Sequence, residues 1–469
     1  MPVLLALLTV PAYLSLIGTE RYGVLAIAWL ILGYFGMFDL GLGRATAQRI
    51  AALRNHDASE RTRAFFTALA ANGVIGVIGG LILWPVASYV FGEHINMSEQ
   101  LRPEIVAAVP LLAIAVPIAT MMGVLSGALM GREQFRTTNS ISIVSTTLFQ
   151  LLPLGYAWIV GPYLPGLLIA SIGARAVGLM LLWVRCRREF PLDSADRRFD
   201  RDQLRPLLAY GGWVTLTSMF GPFLVIADRF AIGALLNAVA VTIYTVPMQI
   251  TQRLSSVAGA LGNALFPRMA VSSGDEAQRL AQQATAAMIC VVSLPVTAGM
   301  FLIEPFLRFW VGSAVGGPAA PIGRILLIAW WLNTFAQLPY VQLQARGRPD
   351  LVSKLLIAEL PVYLAGLYMA LSWFGLLGAA VMFLVRIAAD YLILSFLAGR
   401  KVQLPLPTAI LLTLLTICAI TMPRLYAAGP LATILAAGVM LALTALICWS
   451  VMPPALGKHL PAALRRDKT

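Results

Sequence analysis

Pro-Glu-Ile-Val-Ala-Ala-Val-Pro-Leu-Leu-Ala-Ile-Ala-Val-Pro-Ile-Ala-Thr-Met-Met-Gly-Val-Leu-Ser-Gly-Ala-Leu-Met-Gly-Arg-Glu-Gln-Phe-Arg, residues 103–136, decides the fold. From Ile105 to Gly131 it carries no charge, and at Arg132 it turns abruptly polar. An apolar stretch of that length exceeds the roughly 20 residues that a helix needs to cross a bilayer core. Similar stretches recur along the whole chain. Of its 469 residues 59% are hydrophobic and 12% charged, and the mean hydropathy is +0.82. A soluble protein of this length has too little polar residue to cover such a core. Lipid is therefore the solvent, and runs of this length mark helices rather than barrel strands.

The pattern predicts fourteen spans, at about 1–18, 22–44, 64–91, 104–130, 137–160 and 164–186, then 206–232, 236–267, 280–309, 319–344, 355–373 and 376–399, and finally 404–423 and 429–452. The apolar N-terminus reads as the first span and not as a removable signal. Basic residues test the layout. With the N-terminus inside, cytoplasmic segments receive 25 of the 34 Lys and Arg, from Arg44, Arg49, Arg54, Arg61 and Arg63 to the tail Lys458, Arg465, Arg466 and Lys468. Outer ends hold Arg21, Arg102, Arg308, Arg324 and Arg424; Arg175, Arg229, Arg253 and Arg386 lie within spans. A miscounted span would invert every later loop and erase this bias. The net charge of +13 follows from it without nucleic acid as a partner. Cys186, Cys290, Cys418 and Cys448 show no metal-ligand or disulfide spacing.

Four segments follow: 1–186 as an N-lobe of six helices, 187–205 as a cytoplasmic linker mixing Arg with Asp, 206–400 as a C-lobe of six helices, and 401–469 as a helix pair with a basic tail. Weak internal similarity relates the lobes. Gly131-Arg132-Glu133 matches Gly347-Arg348-Pro349 at a spacing of 216, and Pro165-Gly166 ahead of Arg175 matches Leu377-Gly378 ahead of Arg386 at 212 and 211. Six spans per repeat preserve orientation, so the lobes are expected to be related by a pseudo-two-fold along the membrane normal, a transporter plan. Gly18 against Gly233, at 215, leaves the first span short of its counterpart by about ten residues, the amount expected upstream of Met1.

An ordered set of short motifs adds a resemblance. It begins with Pro11-Ala-Tyr-Leu-Ser-Leu-Ile-Gly18-Thr-Glu20-Arg-Tyr22-Gly23 and Phe38-Asp39-Leu40-Gly41-Leu42-Gly43-Arg44-Ala45. It continues with Ala227-Asp228-Arg229-Phe230-Ala-Ile-Gly233, Tyr244 and Leu265-Phe266-Pro267, and ends with Ala345-Arg346-Gly347-Arg348-Pro349 and Phe374-Gly375-Leu-Leu-Gly378-Ala379-Ala380. On these residues the chain resembles the polysaccharide flippase (Wzx-type O-antigen and exopolysaccharide exporter) family of the multidrug/oligosaccharidyl-lipid/polysaccharide superfamily. The resemblance implies a bacterial inner-membrane transporter that moves an undecaprenyl-pyrophosphate-linked oligosaccharide unit outward. It implies a proton or Na+ gradient instead of ATP, no cofactor or metal, and a polysaccharide polymerase and chain-length regulator as partners beside the lipid-linked glycan and membrane lipids. No Gly-rich loop with Lys-Ser/Thr for a nucleotide occurs in the sequence.

Charges within spans cost at least about 2.5–3.5 kcal/mol each on insertion scales, so each calls for a partner or a wet cavity. Arg253, with Gln249 and Gln252, suits a pyrophosphate in such a cavity; pairing with a carboxylate between helices is its other reading. Arg175 and Arg386 stand at equivalent repeat positions, as cavity cations or as lobe-holding ion pairs, with Asp390 one turn from Arg386. Asp228-Arg229 reads as a gate or as a packing pair. Glu359 reads as a coupling carboxylate or as the partner of Lys354 or Arg348, Asp390 as a coupling carboxylate or as the local partner of Arg386, and Asp39 as a coupling or gating carboxylate or as part of a helix-terminal turn.

Rival functions are a multidrug or small-solute antiporter of the same architecture, an enzyme such as a polysaccharide polymerase or ligase, and a channel. The outer loops, the longest at about 92–103, are too short for the enzyme's catalytic groups, the two-lobe repeat argues against a channel, and the two extra C-terminal spans favour the lipid-glycan branch over the antiporter. The fourteen-span topology places both termini and 187–205 in the cytoplasm. A Ser194→Cys protein in intact cells is therefore expected to escape an impermeant maleimide and to react once the cells are opened; labelling before lysis would overturn the topology.

Overall fold

The computed structural model describes residues 2–37, 42–54, 57–190, 224, 226–256, 259, 274–345, 348–399 and 406–452. Among them there is no strand, as lipid requires of a chain that satisfies its backbone within each segment. The helices are α1 (Pro2–Met37), α2 (Leu42–Ala52), α3 (Ala58–Tyr89), α4 (Leu101–Gly131), α5 (Phe135–Ile159), α6 (Leu164–Glu189), α7 (226–235), α8 (Ala238–Thr251), α9 (Gly274–Val311), α10 (Ser313–Ala345), α11 (Pro349–Leu397), α12 (Leu406–Ala428) and α13 (Pro430–Val451). A single π-turn, Val90–His94, extends α3.

Ten of the described helical segments are long and apolar enough to cross a membrane. Two of them hold two predicted spans each. Gly18 (φ 79, ψ 166) breaks α1 between the first and second spans, and Gly375 (φ 57, ψ −140) breaks α11 between the eleventh and twelfth. Both lie at positive φ, which costs glycine little and other residues more. The seventh and eighth spans are described over 226–235 and Ala238–Thr251 with a short continuation to 256; the remainder of both lies outside the described residues. The short α2, with five buried residues, begins at the end of the predicted second span and runs through residues that the hydropathy reading left as a cytoplasmic segment.

By packing, the chain forms two compact units, Met1–Thr242 and Ile243–Thr469. The division falls inside α8, whereas the linker 187–205 divides the chain by repeat. The reason is local. Asn96 Nδ2 donates to the Ala234 carbonyl at 2.7 Å, the Asn96 N–H donates to the Gly233 carbonyl at 3.0 Å, and Thr242 Oγ1 donates to the Thr19 carbonyl at 2.7 Å. These bonds tie α7 and the start of α8 into the first unit. Gly233 itself is helical and fills a niche beside Ile27, Ile95 and Val241. The turn corresponding to Gly18 falls instead at 236–237. The pairing of Gly18 with Gly233 is thus out of register by about a turn of helix.

The first unit is closed by small-residue contacts. Gly127 of α4 lies directly on the Gly43 carbonyl of α2, Gly131 on the Ala47 carbonyl, Gly76 of α3 on Pro117 of α4, and Gly166 of α6 on the Tyr156 ring of α5. A Phe65–Phe190 stack at 4.6 Å lies in the same core as Leu125 and Leu129. In the second unit α9, α10 and α11 pack in sequence, and the C-terminal pair docks on α9. There Tyr426 Oη donates to the Phe301 carbonyl at 2.6 Å and Thr297 meets Thr444 at 3.1 Å. Cys186, Cys418 and Cys448 are buried and all four cysteines are free.

The α2–α4 contact has no room for a methyl group, since a Cβ on Gly127 would overlap backbone. Gly127→Ala is expected to cost about 1–3 kcal/mol and to lower the thermal unfolding temperature of the purified protein; an unchanged temperature would mean that this approach is not needed.

Candidate functional site

In the second unit α11 carries a cluster of three charges with little exposure. Glu359 lies before the Gly375 break, with Arg386 and Asp390 after it, so the turn at Gly375 folds the two halves of α11 against each other. Arg386 Nε donates to Glu359 Oε1 at 2.9 Å, and its Nη2 stands 3.6 Å from Asp390 Oδ2 across one helical turn. The three side chains are 6%, 11% and 12% exposed. The guanidinium also stacks on Tyr363 at 5.3 Å and on Phe383 at 6.0 Å. Arg386 is thus held in an ion-paired cluster between the two halves of α11. Lys354 and Arg348 are not the partners of Glu359. Both bind Asp350 at the exposed helix start, Lys354 from one turn on at 3.5 Å and Arg348 from two residues before at 3.4 Å, while Glu359 faces inward. One guanidinium against two carboxylates leaves one negative charge in excess when all three are ionised. Binding a proton or a monovalent cation there would neutralise the cluster.

In the first unit Arg175 sits near the middle of α6, 4.8 Å above the Phe149 ring of α5. It makes no ion pair or hydrogen bond among the described residues, and its Nε is buried without a partner. A cavity of about 270 Å³ adjoins it, lined by Ser126, Thr138, Ser142, Ser145 and Thr146 with Phe149 and Leu182. The lobe-holding ion pair expected as one reading of Arg175 is thus not formed among these residues. Behind Phe149 an aromatic chain runs through Trp29 to Tyr13, at 5.5 and 5.3 Å. It is anchored by Trp29 Nε1 on Ser171 at 3.0 Å and by Tyr13 Oη on the Gln150 carbonyl at 2.6 Å.

The other predicted residues fall elsewhere. Asp228 and Arg229 are adjacent on α7, both buried, and Arg229 Nη1 lies 3.3 Å from Asp228 Oδ1, the packing-pair reading of this dipeptide. Gln249 is on α8, but Arg253 is not at the centre of a continuous helix. α8 ends at Thr251, Gln252 and Arg253 form a turn, and Ser255 and Ser256 bond back to the carbonyls of Gln252 and Arg253 at 3.0 and 3.1 Å. Arg253 is exposed, and Thr251 Oγ1 bonds back to the Pro247 carbonyl at 3.0 Å, where the proline removes a backbone donor and favours a bend. Asp39 lies outside the described residues.

Three of the cations predicted at outer ends form ion pairs, with two carboxylates between them. Arg21 binds Glu104 at 2.8 Å, whose other oxygen accepts the Leu164 N–H at the start of α6. Glu304 holds Arg308 at 3.0 Å and the fully buried Arg324 at 2.5 Å, and Arg324 also stacks on Tyr426 of α12 at 5.4 Å. This outer cluster went unread in the sequence. Glu304 four residues before Arg308 was its visible signal. Among the described residues no group of His, Cys, Asp and Glu is arranged to hold a metal ion.

Long apolar helices, glycine-broken hairpins and buried charge in each unit define a polytopic membrane protein with a transporter fold. A solved inward-facing multidrug resistance MATE family transporter of the MOP superfamily superposes with a TM-score of 0.69 at 15% identity, over 85% of this chain and 95% of that one. The lipid II flippase MurJ in an inward closed conformation superposes at 0.70 and 11% identity, over 96% and 97%. The family model described as "Polysaccharide biosynthesis protein" matches residues 2–273, more than half of the chain, and the chain belongs to that family. A protein of Shigella flexneri named "Putative O-antigen transporter" is 27% identical over 386 residues, 82% of this chain and 91% of that protein.

Removing the guanidinium of the α11 cluster strands two buried carboxylates. Arg386→Met is expected to lose about 3–5 kcal/mol, read as a lowered unfolding temperature or poor membrane accumulation, and Glu359→Gln added to it is expected to recover part of the loss. A wild-type temperature in Arg386→Met would show that the carboxylates do not depend on it.

Proposed function

We propose that the protein is a flippase carrying an undecaprenyl-diphosphate-linked oligosaccharide unit from the cytoplasmic to the outer leaflet of the bacterial inner membrane. The observation that carries this reading is the similarity to the O-antigen transporter of Shigella flexneri along 91% of that protein, within a family of polysaccharide biosynthesis. A lipid-linked glycan has a diphosphate to be held by cations, sugars to be held by hydroxyls and amides, and a tail that stays in lipid. Arg253, with Gln249 and Gln252, is assigned to the diphosphate, and its exposure supports an accessible role. Arg253→Lys keeps the charge but loses the planar fork, so it is expected to transport partially.

The motive force in this reading is a proton or Na+ gradient. The coupling carboxylates are Glu359 and Asp390, whose excess negative charge around Arg386 is relieved by one bound cation. A polymerase and a chain-length regulator act downstream on the delivered unit.

The second reading, an ion-coupled multidrug antiporter, draws on the likeness to the MATE transporter. The docked pair α12–α13 weighs against it. The multidrug transporter covers 85% of this chain and the lipid II flippase 96%.

Reconstitution separates the two. In proteoliposomes holding a synthetic undecaprenyl diphosphate oligosaccharide, the wild-type protein is expected to expose the glycan to an external lectin when an ion gradient is imposed. Arg253→Ala is expected to abolish this while folding normally, and Glu359→Gln to remove the dependence on the gradient. Drug efflux without glycan exposure would establish the antiporter instead.

A further inference from the structure

The two repeats build the same device and finish it differently. Phe149 and Tyr363 stand 214 apart in sequence, as do the positive-φ glycines Gly161 and Gly375; Gly166 and Gly378 stand 212 apart, and Arg175 and Arg386 stand 211 apart. In both repeats the second helix of the hairpin closes on the first through a glycine that lies on Tyr156 or on the Ala370 carbonyl. In both, an arginine from the second helix stacks on an aromatic ring of the first.

In the second repeat Glu359 and Asp390 complete the device. At the same spacings the first repeat has Ser145 and Leu179. Among the described residues Arg175 is left without a carboxylate, and its buried Nε has no partner. In place of the acids is the 270 Å³ cavity with Ser126 of α4 and Thr138, Ser142, Ser145 and Thr146 of α5. The α5 residues recur at helical spacing and form a hydroxyl-bearing face that ends at Phe149 and Arg175. Toward the predicted inner end, Arg185 Nε donates to Gln134 Oε1 at 3.1 Å, and Arg136 is exposed.

A half-buried cation with no counter-ion among the described residues is costly, and a hydroxyl-lined cavity offers donors but no compensating negative charge. An anion of phosphate type supplies both the charge and the acceptor oxygens that an arginine fork recognises. At about 30 Å³ per water molecule, the cavity has room for a phosphate or diphosphate group. We propose that the Arg175 cavity of the first repeat is a binding subsite for a lipid-borne phosphate group. That its ligand is the diphosphate of the transported lipid, and not the headgroup of a bulk anionic lipid, rests on the functional reading above; the anion site itself does not.

The test uses the full-length protein in phosphatidylcholine nanodiscs with two probes, undecaprenyl diphosphate and phosphatidylglycerol. Arg175→Ala is expected to weaken undecaprenyl diphosphate about tenfold or more and to leave phosphatidylglycerol unchanged, with Arg175→Lys between. Ser145→Glu restores the carboxylate of the second repeat while keeping Arg175. It is expected to weaken the diphosphate as much as Arg175→Ala and to raise the unfolding temperature, and it carries the test alone if Arg175→Ala fails to fold. Equal loss of both probes in Arg175→Ala would support the anion site with bulk lipid as its ligand. Should the wild-type protein bind phosphatidylglycerol through Arg175 but not undecaprenyl diphosphate, the site stands and the functional reading falls. If the wild-type protein binds the diphosphate and neither variant weakens it, the subsite is overturned and the functional reading survives.

Discussion

The interaction on which the rest depends is the compensation of charge in a medium without water. A guanidinium in hydrocarbon is tolerated only where carboxylates, aromatic faces or a wet cavity replace its hydration. The chain meets this demand in three ways. Arg386 is enclosed by two carboxylates and two rings. Arg324 is fully buried against one carboxylate, Glu304, and the Tyr426 ring. Among the described residues Arg175 has only a ring and a hydroxyl-lined cavity. The differences follow from helix pairing. Glu359 reaches Arg386 because Gly375 turns the chain back on itself, and Glu304 reaches Arg324 because α9 and α10 meet through the short turn at Gly312 (φ 80).

Glycine supplies the geometry for these pairings. Gly18, Gly161 and Gly375 carry positive φ at three of the tight turns between spans. Gly127, Gly166 and Gly378 let helices approach to the point where a β-carbon would overlap a neighbour. In lipid, where burying apolar surface provides little drive between helices, such close packing is a main source of association. The same closeness brings side chains on adjacent helices into range of one another. Packing and charge compensation are therefore set by the same few residues.

The helical class and most spans were legible because hydrophobic run length and basic-loop bias are averages over many residues, and one mistaken residue hardly moves them. The repeat was legible from Gly166, Gly378, Arg175 and Arg386, since spacing survives where identity does not. Gly233 misled because composition cannot tell a turn glycine from one that fills a niche; the turn lies at 236–237. The partner of Glu359 was missed for a related reason. Lys354 and Arg348 are nearer in sequence, but Arg386, 27 residues on, is nearer in space. Arg253 was placed at a helix centre because Gln249, Thr251 and Gln252 do not interrupt a hydropathy window, although Pro247 and the Thr251 back-bond end the helix there.

An exact internal repeat would give each unit the same electrostatics. This chain breaks that symmetry at two positions, Ser145 against Glu359 and Leu179 against Asp390, while keeping the arginine, the ring and the glycines. The consequence follows from charge alone. The Arg175 site keeps a net positive charge, and the Arg386 cluster a net negative one when its three groups are ionised. Ser145 and Glu359 occupy corresponding places on helices held close by the corresponding glycines Gly166 and Gly378, so the two hairpins share a closure and differ in the charge they enclose.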